Sequence, residues 1–241
     1  MDIRSQLDRI SFDWAAFDAA GRDSRDVIQE IAGDRAALRD LVLKVGHDEH
    51  LLPLCEKVRD FKYLVLYDAL DRGFRLRLHR FSEGQEDEPH NHRYSFSSFI
   101  LKGSYAHTLY EVADEGASRE AQPYWELHQP PGTFDPSGEG LPGLAVTRLS
   151  PLMTQTQDTG SVYTLHHATF HATALPAQNA YSLFLRGPAE KPSAVFLDPL
   201  NRTYRWKFGR AQERPEVVDA RSFTLDDYRL FVEQLEADGV I

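Results

Sequence analysis

Two histidines separated by one residue, His90 and His92, are the side chains in this sequence best suited to chemistry. In an extended strand they point the same way, because successive residues face opposite sides, and they lie about 7 Å apart along it. Two imidazoles placed in this way can reach one metal ion. Imidazole suits Fe, Ni, Cu or Zn, whereas sites made only of oxygen suit Mg or Ca. A third ligand has to come from another part of the chain.

The histidine pair lies in a stretch from Gly84 to Gly103, and a second stretch runs from Gly160 to His171. The first resembles the cupin superfamily motif in which Gly is followed after five residues by His-x-His and later by another Gly. The second keeps the first Gly and the His of the other cupin motif at the expected separation. The resemblance covers roughly residues 74 to 188. It implies an RmlC-like jelly-roll barrel with a metal ion inside and His171 as the third ligand.

The sequence departs from the cupin pattern where the family has a glutamate ligand. That position holds Phe96 or Ser97, depending on the spacing, and neither is a good metal ligand. Three neutral imidazoles leave the ion its full charge and several open positions, which favours an anionic chelating substrate together with dioxygen. Such a site resembles that of cysteine dioxygenase-type thiol dioxygenases. The likeness is one of site type, since no residue clearly matches that enzyme's substrate-binding arginine and Arg186 stands about where its active-site tyrosine would fall.

Three further histidines lie in or near these stretches. His167 shares strand parity with His171 and is therefore an alternative third ligand or an acid/base group beside the metal. His166 replaces a turn proline of the cupin motif. His107, on the strand after Gly103, is expected to be an ordinary hydrogen-bonded histidine of the barrel.

Aromatic and cationic residues complete the candidate site. Parity places Tyr94 and Phe96 on the same face as the histidine pair, so we expect them, with Phe170, to wall the pocket. Arg77 lies on a strand with one polar and one apolar face and is a candidate clamp for a carboxylate or phosphate. The candidate catalytic residues are thus Tyr94, Phe96, His167 and Arg77.

The leading hypothesis is an Fe(II)-dependent oxygenase that acts with dioxygen on a small anionic metabolite. A thiol-containing metabolite is one candidate. Ni, Mn, Zn or Cu are alternative metals. The alternative functions are a non-oxidative lyase or isomerase, in which the ion acts only as a Lewis acid, and a barrel that binds a small ligand without catalysis.

The elements that would position these residues follow from periodicity. Apolar residues at helical spacing precede Gly21 and Gly46, which are suited to end a helix. This predicts helices that end at these two glycines, within a helical N-terminal extension over residues 1–60. Thr224 with Asp227 forms a capping box before a final helix in residues 211–241. Residues 61–210 hold short runs typical of strands, which predicts a mainly-β chain with a single cupin double-stranded β-helix barrel; these runs are 61–66, 74–81, 95–101, 105–112, 145–149, 162–165 and 181–185.

Composition narrows the function classes. The chain has 241 residues and a formal net charge of -10, which opposes binding to nucleic acid or anionic lipid. Cys55 has no partner for a disulfide and lies in an apolar run, so we expect it to be buried. No stretch reaches the ~20 apolar residues of a membrane span, and we expect a cytoplasmic protein. The cupin resemblance implies a homodimer.

Overall fold

The computed structural model describes residues 3–58, 61–114, 124–128, 144–175, 178–198 and 203–241. The helices are α1 (Ile3–Leu7), α2 (Phe17–Gly33), α3 (Arg35–Val45), α4 (Pro215–Arg221) and α5 (Leu225–Ala237). The strands are β1 (Glu56–Val58), β2 (Phe61–Ala69), β3 (Phe74–Phe81), β4 (Phe96–Lys102), β5 (Ser104–Asp114), β6 (Tyr124–His128), β7 (Leu144–Asp158), β8 (Val162–Leu165), β9 (Phe170–Ala174), β10 (Ala180–Arg186), β11 (Ser193–Asp198) and β12 (Thr203–Phe208).

Strands β1 to β10 form two facing antiparallel sheets. The first has the order β1-β2-β3-β10-β4-β8 and the second the order β6-β7-β5-β9. The segment 86–90 joins the free edge of the second sheet through bridges to β9. Along the chain, β3, the segment 86–90, β4 and β5 alternate between the two sheets, and β7, β8, β9 and β10 alternate again. This alternation is the strand order of a jelly roll. This confirms the predicted mainly-β, cupin-type jelly roll. The β11–β12 hairpin lies beside the segment 86–90, which bridges to Phe196.

The main hydrophobic core lies outside the barrel, between the first sheet and the helices. Leucines on one face of β2, β3 and β10 are fully buried in one cluster with the apolar faces of α2, α3 and α5; among them are Leu64, Leu78, Leu183, Ile28, Leu41 and Leu235. Strand alternation then turns the other residues of these strands inward. The polar face of β3, which carries Arg77 and His79, thus points into the barrel.

The N-terminal helices differ from the prediction. The apolar residues before Gly21 were expected to form one helix ending there, and this is wrong, because α1 ends at Leu7 and α2 runs through Gly21. A Cβ on Gly21 would lie 3.0 Å from Cγ2 of Thr164. The glycine therefore lets α2 approach the barrel closely. Trp14 lies between the helices and donates its indole N–H to the carbonyl oxygen of Gly73 at 2.8 Å.

Other local predictions are confirmed. The capping box of Thr224 and Asp227 begins α5, and Cys55 is buried. β7 is longer than predicted, since it continues to Asp158 through an exposed polar run that pairs with β5. Residues 129–143, whose Gly and Pro content predicts a loop, lie outside the described residues. Within the described ranges, none of the helices has the length and apolar character needed to cross a membrane.

Candidate metal centre

The structure brings His90, His92 and His171 together inside the barrel. One imidazole nitrogen from each lies within 4.8 Å of the others, and Nε2 of His92 is 2.7 Å from Nε2 of His171. Two nitrogens bound to one ion at right angles lie about 3 Å apart, because each bond is about 2.1 Å long. The spacing of the three side chains therefore suits one transition-metal ion. His90 and His171 are buried, whereas His92 is half-buried and marks the accessible side.

Backbone pairing positions the ligands. His90 and His171 exchange two N–H to carbonyl hydrogen bonds of 2.8 Å, so they lie directly opposite each other. Asn91 pairs with Val195 on β11 through its backbone N–H and through its Oδ1, at 3.0 and 2.9 Å. The chain between His90 and His92 is therefore held from two sides. It is not the regular strand that the sequence predicted, although both side chains point to the same place.

Hydrogen bonds define which ring nitrogens face the centre. Nδ1 of His90 lies 2.8 Å from the carbonyl oxygen of Glu88, so it donates and leaves Nε2 for a metal. Nδ1 of His171 lies 2.9 Å from Nε2 of His107. When Nε2 of His171 binds a metal, its Nδ1–H donates to His107. Burial and the positive charge of neighbouring histidines hold the pKa of His171 well below its usual range, which favours the neutral, ligating form.

His107 contacts a candidate ligand, and sequence reasoning missed this contact. Its buried ring was expected only to make a hydrogen bond somewhere in the barrel. Its contact with His171 follows from the register of β5 against β9, which a single sequence does not reveal. Partners of this kind orient a ligand imidazole and raise its basicity.

We expect His107→Leu to weaken metal binding by about 10- to 100-fold, because His171 loses the acceptor that fixes its tautomer. The affinity is measured by competition with a chromophoric chelator. His47→Leu, which changes an exposed histidine, is the control and should bind metal as the wild type does. Equal affinities for His107→Leu and the wild type would contradict this role.

The structure places His167 in a different group. Its Nδ1 is 2.9 Å from Oε2 of Glu190, and its ring centroid is 4.1 Å from that of His166. Glu190 also accepts the backbone N–H of Ser95 at 2.8 Å. A second cluster of potential ligands at the surface thus consists of His166, His167 and Glu190. The histidine that lies with His90 and His92 is His171.

Aromatic rings surround the three histidines. Phe96 meets His92 edge-on at 4.8 Å between centroids, and Tyr94 lies 5.6 Å from His92. Phe196, which the sequence did not single out, stacks on His90 at 4.7 Å. Phe170 was expected in this wall, and that prediction is wrong. It packs with Val195 and Leu197, because it neighbours His171 on β9 and so faces the other side of the sheet.

Tyr94 links the histidines to a positively charged part of the interior. Nη1 of Arg77 lies 3.4 Å from the Tyr94 hydroxyl, and Cζ of Arg186 lies 4.5 Å from the centre of its ring. Burial raises the pKa of Tyr94, but the charges of Arg77, Arg186, Lys207 and Arg93 together outweigh it and the net direction is downward. An anionic group is therefore favoured in this region.

The buried His79 makes stability depend on pH. Burial and the charge of Arg77 hold its pKa well below the usual range, whereas in the unfolded chain it titrates near 6.5. Below that pH the unfolded chain takes up a proton that the folded protein does not, so stability falls as pH falls.

We therefore expect the metal-free wild type to lose unfolding free energy faster between pH 7 and 5 than His79→Phe, by up to about 1.4 kcal/mol per pH unit. Phenylalanine keeps a ring stacked on Phe184, where the His79 centroid lies at 4.3 Å. Urea denaturation at several pH values measures the difference. Parallel pH curves for the two proteins would show that His79 is not the group responsible.

No family model matches the chain, and no curated protein matches it. Solved structures do match at low identity. KdgF from Halomonas sp. is 12% identical with a TM-score of 0.34, over 56% of this chain and 88% of that chain. An RmlC-like cupin from Shewanella frigidimarina NCIMB 400 is 13% identical with a TM-score of 0.35, over 57% and 85%. The DMSP lyase DddQ from Ruegeria pomeroyi DSS-3 is 14% identical with a TM-score of 0.35, over 58% and 53%. Similarity at this level says nothing about chemistry, and the assignment of the fold rests on the strand order.

Proposed function

We propose that the chain is a metal-dependent oxygenase that holds Fe(II) with His90, His92 and His171 and acts with dioxygen on a small anionic metabolite. The observation that carries the proposal is a cluster of three imidazoles, which contains no carboxylate from the described residues, next to buried cationic side chains. Three neutral ligands leave an ion its positive charge, which favours an anionic chelating substrate. When bound, Fe(II) would supply the open coordination positions at which substrate and dioxygen meet.

The protein's own residues orient and shield the reactants. His107 and the Glu88 carbonyl fix the tautomers of the ligands. Phe96 and Phe196 cover two sides of the histidine cluster, which limits the access of water and strengthens electrostatic contacts inside. The half-buried Tyr94 and His92 lie on the accessible side, where a substrate would enter.

The first experiment measures the metal content of the purified protein by inductively coupled plasma mass spectrometry, beside a His90→Ala/His92→Ala control. We expect near-stoichiometric iron in the wild type and none in the control. Small carboxylates and thiol-bearing acids are then screened for consumption of dioxygen.

Two other outcomes would overturn the proposal. Another metal with no oxygen uptake would point to a lyase or isomerase in which the ion acts as a Lewis acid. A protein that stays metal-free after anaerobic reconstitution with Fe(II), yet binds a metabolite, would be a binding barrel. Circular dichroism of the control confirms that the loss of metal does not reflect unfolding.

A further inference from the structure

Two arginines inside the barrel have no counter-charge among the described residues. Arg77 on β3 and Arg186 on β10 are 8% and 5% exposed. Neither makes an ion pair with any carboxylate in the described ranges. Nη1 of Arg186 donates to the carbonyl oxygen of Gly187 at 2.9 Å and Cζ of Arg77 lies 4.2 Å from the centre of the Tyr63 ring, but the Nε of each arginine is buried without a hydrogen-bond partner in the described part of the chain. A buried charge without a partner is strongly unfavourable, so such groups usually meet an opposite charge.

The nearest protein carboxylate does not fill this role. Glu56 is 6% exposed and close enough to influence Arg77, but its oxygens lie 3.1 and 3.4 Å from Arg221 and Arg210. Arg75, the next inward arginine on β3, shows what a satisfied guanidinium looks like. It donates from Nε and Nη2 to the two oxygens of Asp68, at 2.8 Å each.

The two arginines without an ion pair point to the same place. Arg77 pairs with Phe184 across β3 and β10, so Arg186 is its diagonal neighbour on the inner face. Both guanidinium groups contact Tyr94, which in turn lies beside His92. Burial and the charge of Arg77 lower the pKa of Arg186 to about 9, as expected for a buried cation beside another. Burial lowers the pKa of Arg77, but Tyr63, Tyr94 and Glu56 outweigh it and the net direction is upward.

Two buried polar atoms without a hydrogen-bond partner among the described residues lie further along β3 and β10. His79 and Ser182 are direct partners across β3 and β10, and both are buried. His79 Nε2 and Ser182 Oγ have no hydrogen-bond partner in the described part of the chain. Buried polar atoms are normally paired, so this inner face offers hydrogen bonds that the described protein groups do not use.

We infer that Arg77 and Arg186 bind a carboxylate group of the substrate, beside the three-histidine centre, so that the substrate is a small acid whose other end carries a metal-binding donor. Two forked guanidinium groups match the planar geometry of a carboxylate. The inference rests on the proposed function for the position of the donor end, whereas the carboxylate site itself is measurable without turnover.

The test uses the metal-loaded protein and compares each acid with its neutral amide. The probes are glycolate, 3-hydroxypropanoate and 4-hydroxybutanoate with the matching amides, and binding is measured anaerobically by isothermal titration calorimetry. Propanoate and propanamide, which lack the donor, report on the carboxylate site alone. We expect at least one hydroxy acid to bind tenfold or more tightly than its amide, with a preferred chain length that reflects the separation of the two subsites.

Arg77→Met and Arg186→Met should reduce this preference to about threefold or less while metal content stays unchanged. Arg75→Met, which removes a paired arginine of the same strand, is the matched control and should keep the preference. Where Arg186→Met does not fold, Arg186→Lys takes its place, and it should weaken the preference because an ammonium lacks the planar fork.

Equal binding of acids and amides would overturn the inference, as would a preference that survives in Arg186→Met or disappears equally in Arg75→Met. A failure of the proposed function looks different. If the protein prefers acids through Arg77 and Arg186 but consumes no dioxygen, the carboxylate site is supported and the oxygenase proposal is overturned. If oxygen uptake is equal with an acid and its amide, the oxygenase proposal is supported and the carboxylate site is overturned.

Discussion

His171→Ala is expected to lose its metal, with an affinity more than about 100-fold below that of the wild type, because the loss of a ligand exceeds the 10- to 100-fold effect of changing a ligand's partner. His171 has one ring nitrogen directed to His92 and the other to His107, so no other side chain takes over its position among the residues described. Metal content after dialysis against a weak chelator measures the effect.

His167→Ala is the matched control for this experiment. It removes an imidazole only four positions away that contacts Glu190 instead, and we expect it to keep the full metal content. Both variants are checked by circular dichroism. If His171→Ala kept its metal and His167→Ala lost it, the assignment of the third ligand would be wrong.

Gly73→Ala is expected to lower the free energy of unfolding by about 3–5 kcal/mol. Gly73 has φ of +90°, where any other residue is strained, and an added Cβ would lie 2.0 Å from the carbonyl oxygen of Phe12. Strain and overpacking each cost about 1–3 kcal/mol. The same glycine accepts the Trp14 indole N–H, so the substitution also disturbs the contact between the N-terminal segment and the barrel.

Gly84→Ala separates the cost of backbone strain from the cost of overpacking. Gly84 has φ of +69°, but an added Cβ would meet no atom within 4 Å. Its cost should therefore be that of backbone strain alone, about 1–2 kcal/mol. Urea denaturation of both variants measures the difference. Equal losses would mean that the contact with Phe12 is not what requires a glycine at residue 73.

The barrel was predictable because its signals are local. Runs of β-branched and aromatic residues separated by turn residues mark the strands. In the stretches around His90 and His171, the spacing of glycines and histidines resembles that of the two cupin motifs. The capping box at Thr224 is equally local, since its two hydrogen bonds join residues three positions apart. Each of these features is set by neighbours in the chain.

Features that depend on pairing between distant strands were not predictable. The alternation of Arg77 and His79 with Leu76 and Leu78 is visible in the sequence, but it does not say which face points inward. That is decided by the helices, which cover the leucine face. The contact of His107 with His171 likewise needs the register between strands. Phe170 was misplaced because the assumption that it lines the pocket ignored its parity with His171.

The position of the main core outside the barrel determines which positions of the strands tolerate substitution. Leu78 and Leu183 hold the strands against the helices, while their neighbours His79 and Ser182 look into the interior. In the proposed function, folding and substrate recognition thus depend on alternate residues of the same strands. Randomised libraries confined to the inward positions should keep most members folded while they vary the acids that are accepted. Libraries of the outward positions should mainly yield insoluble protein.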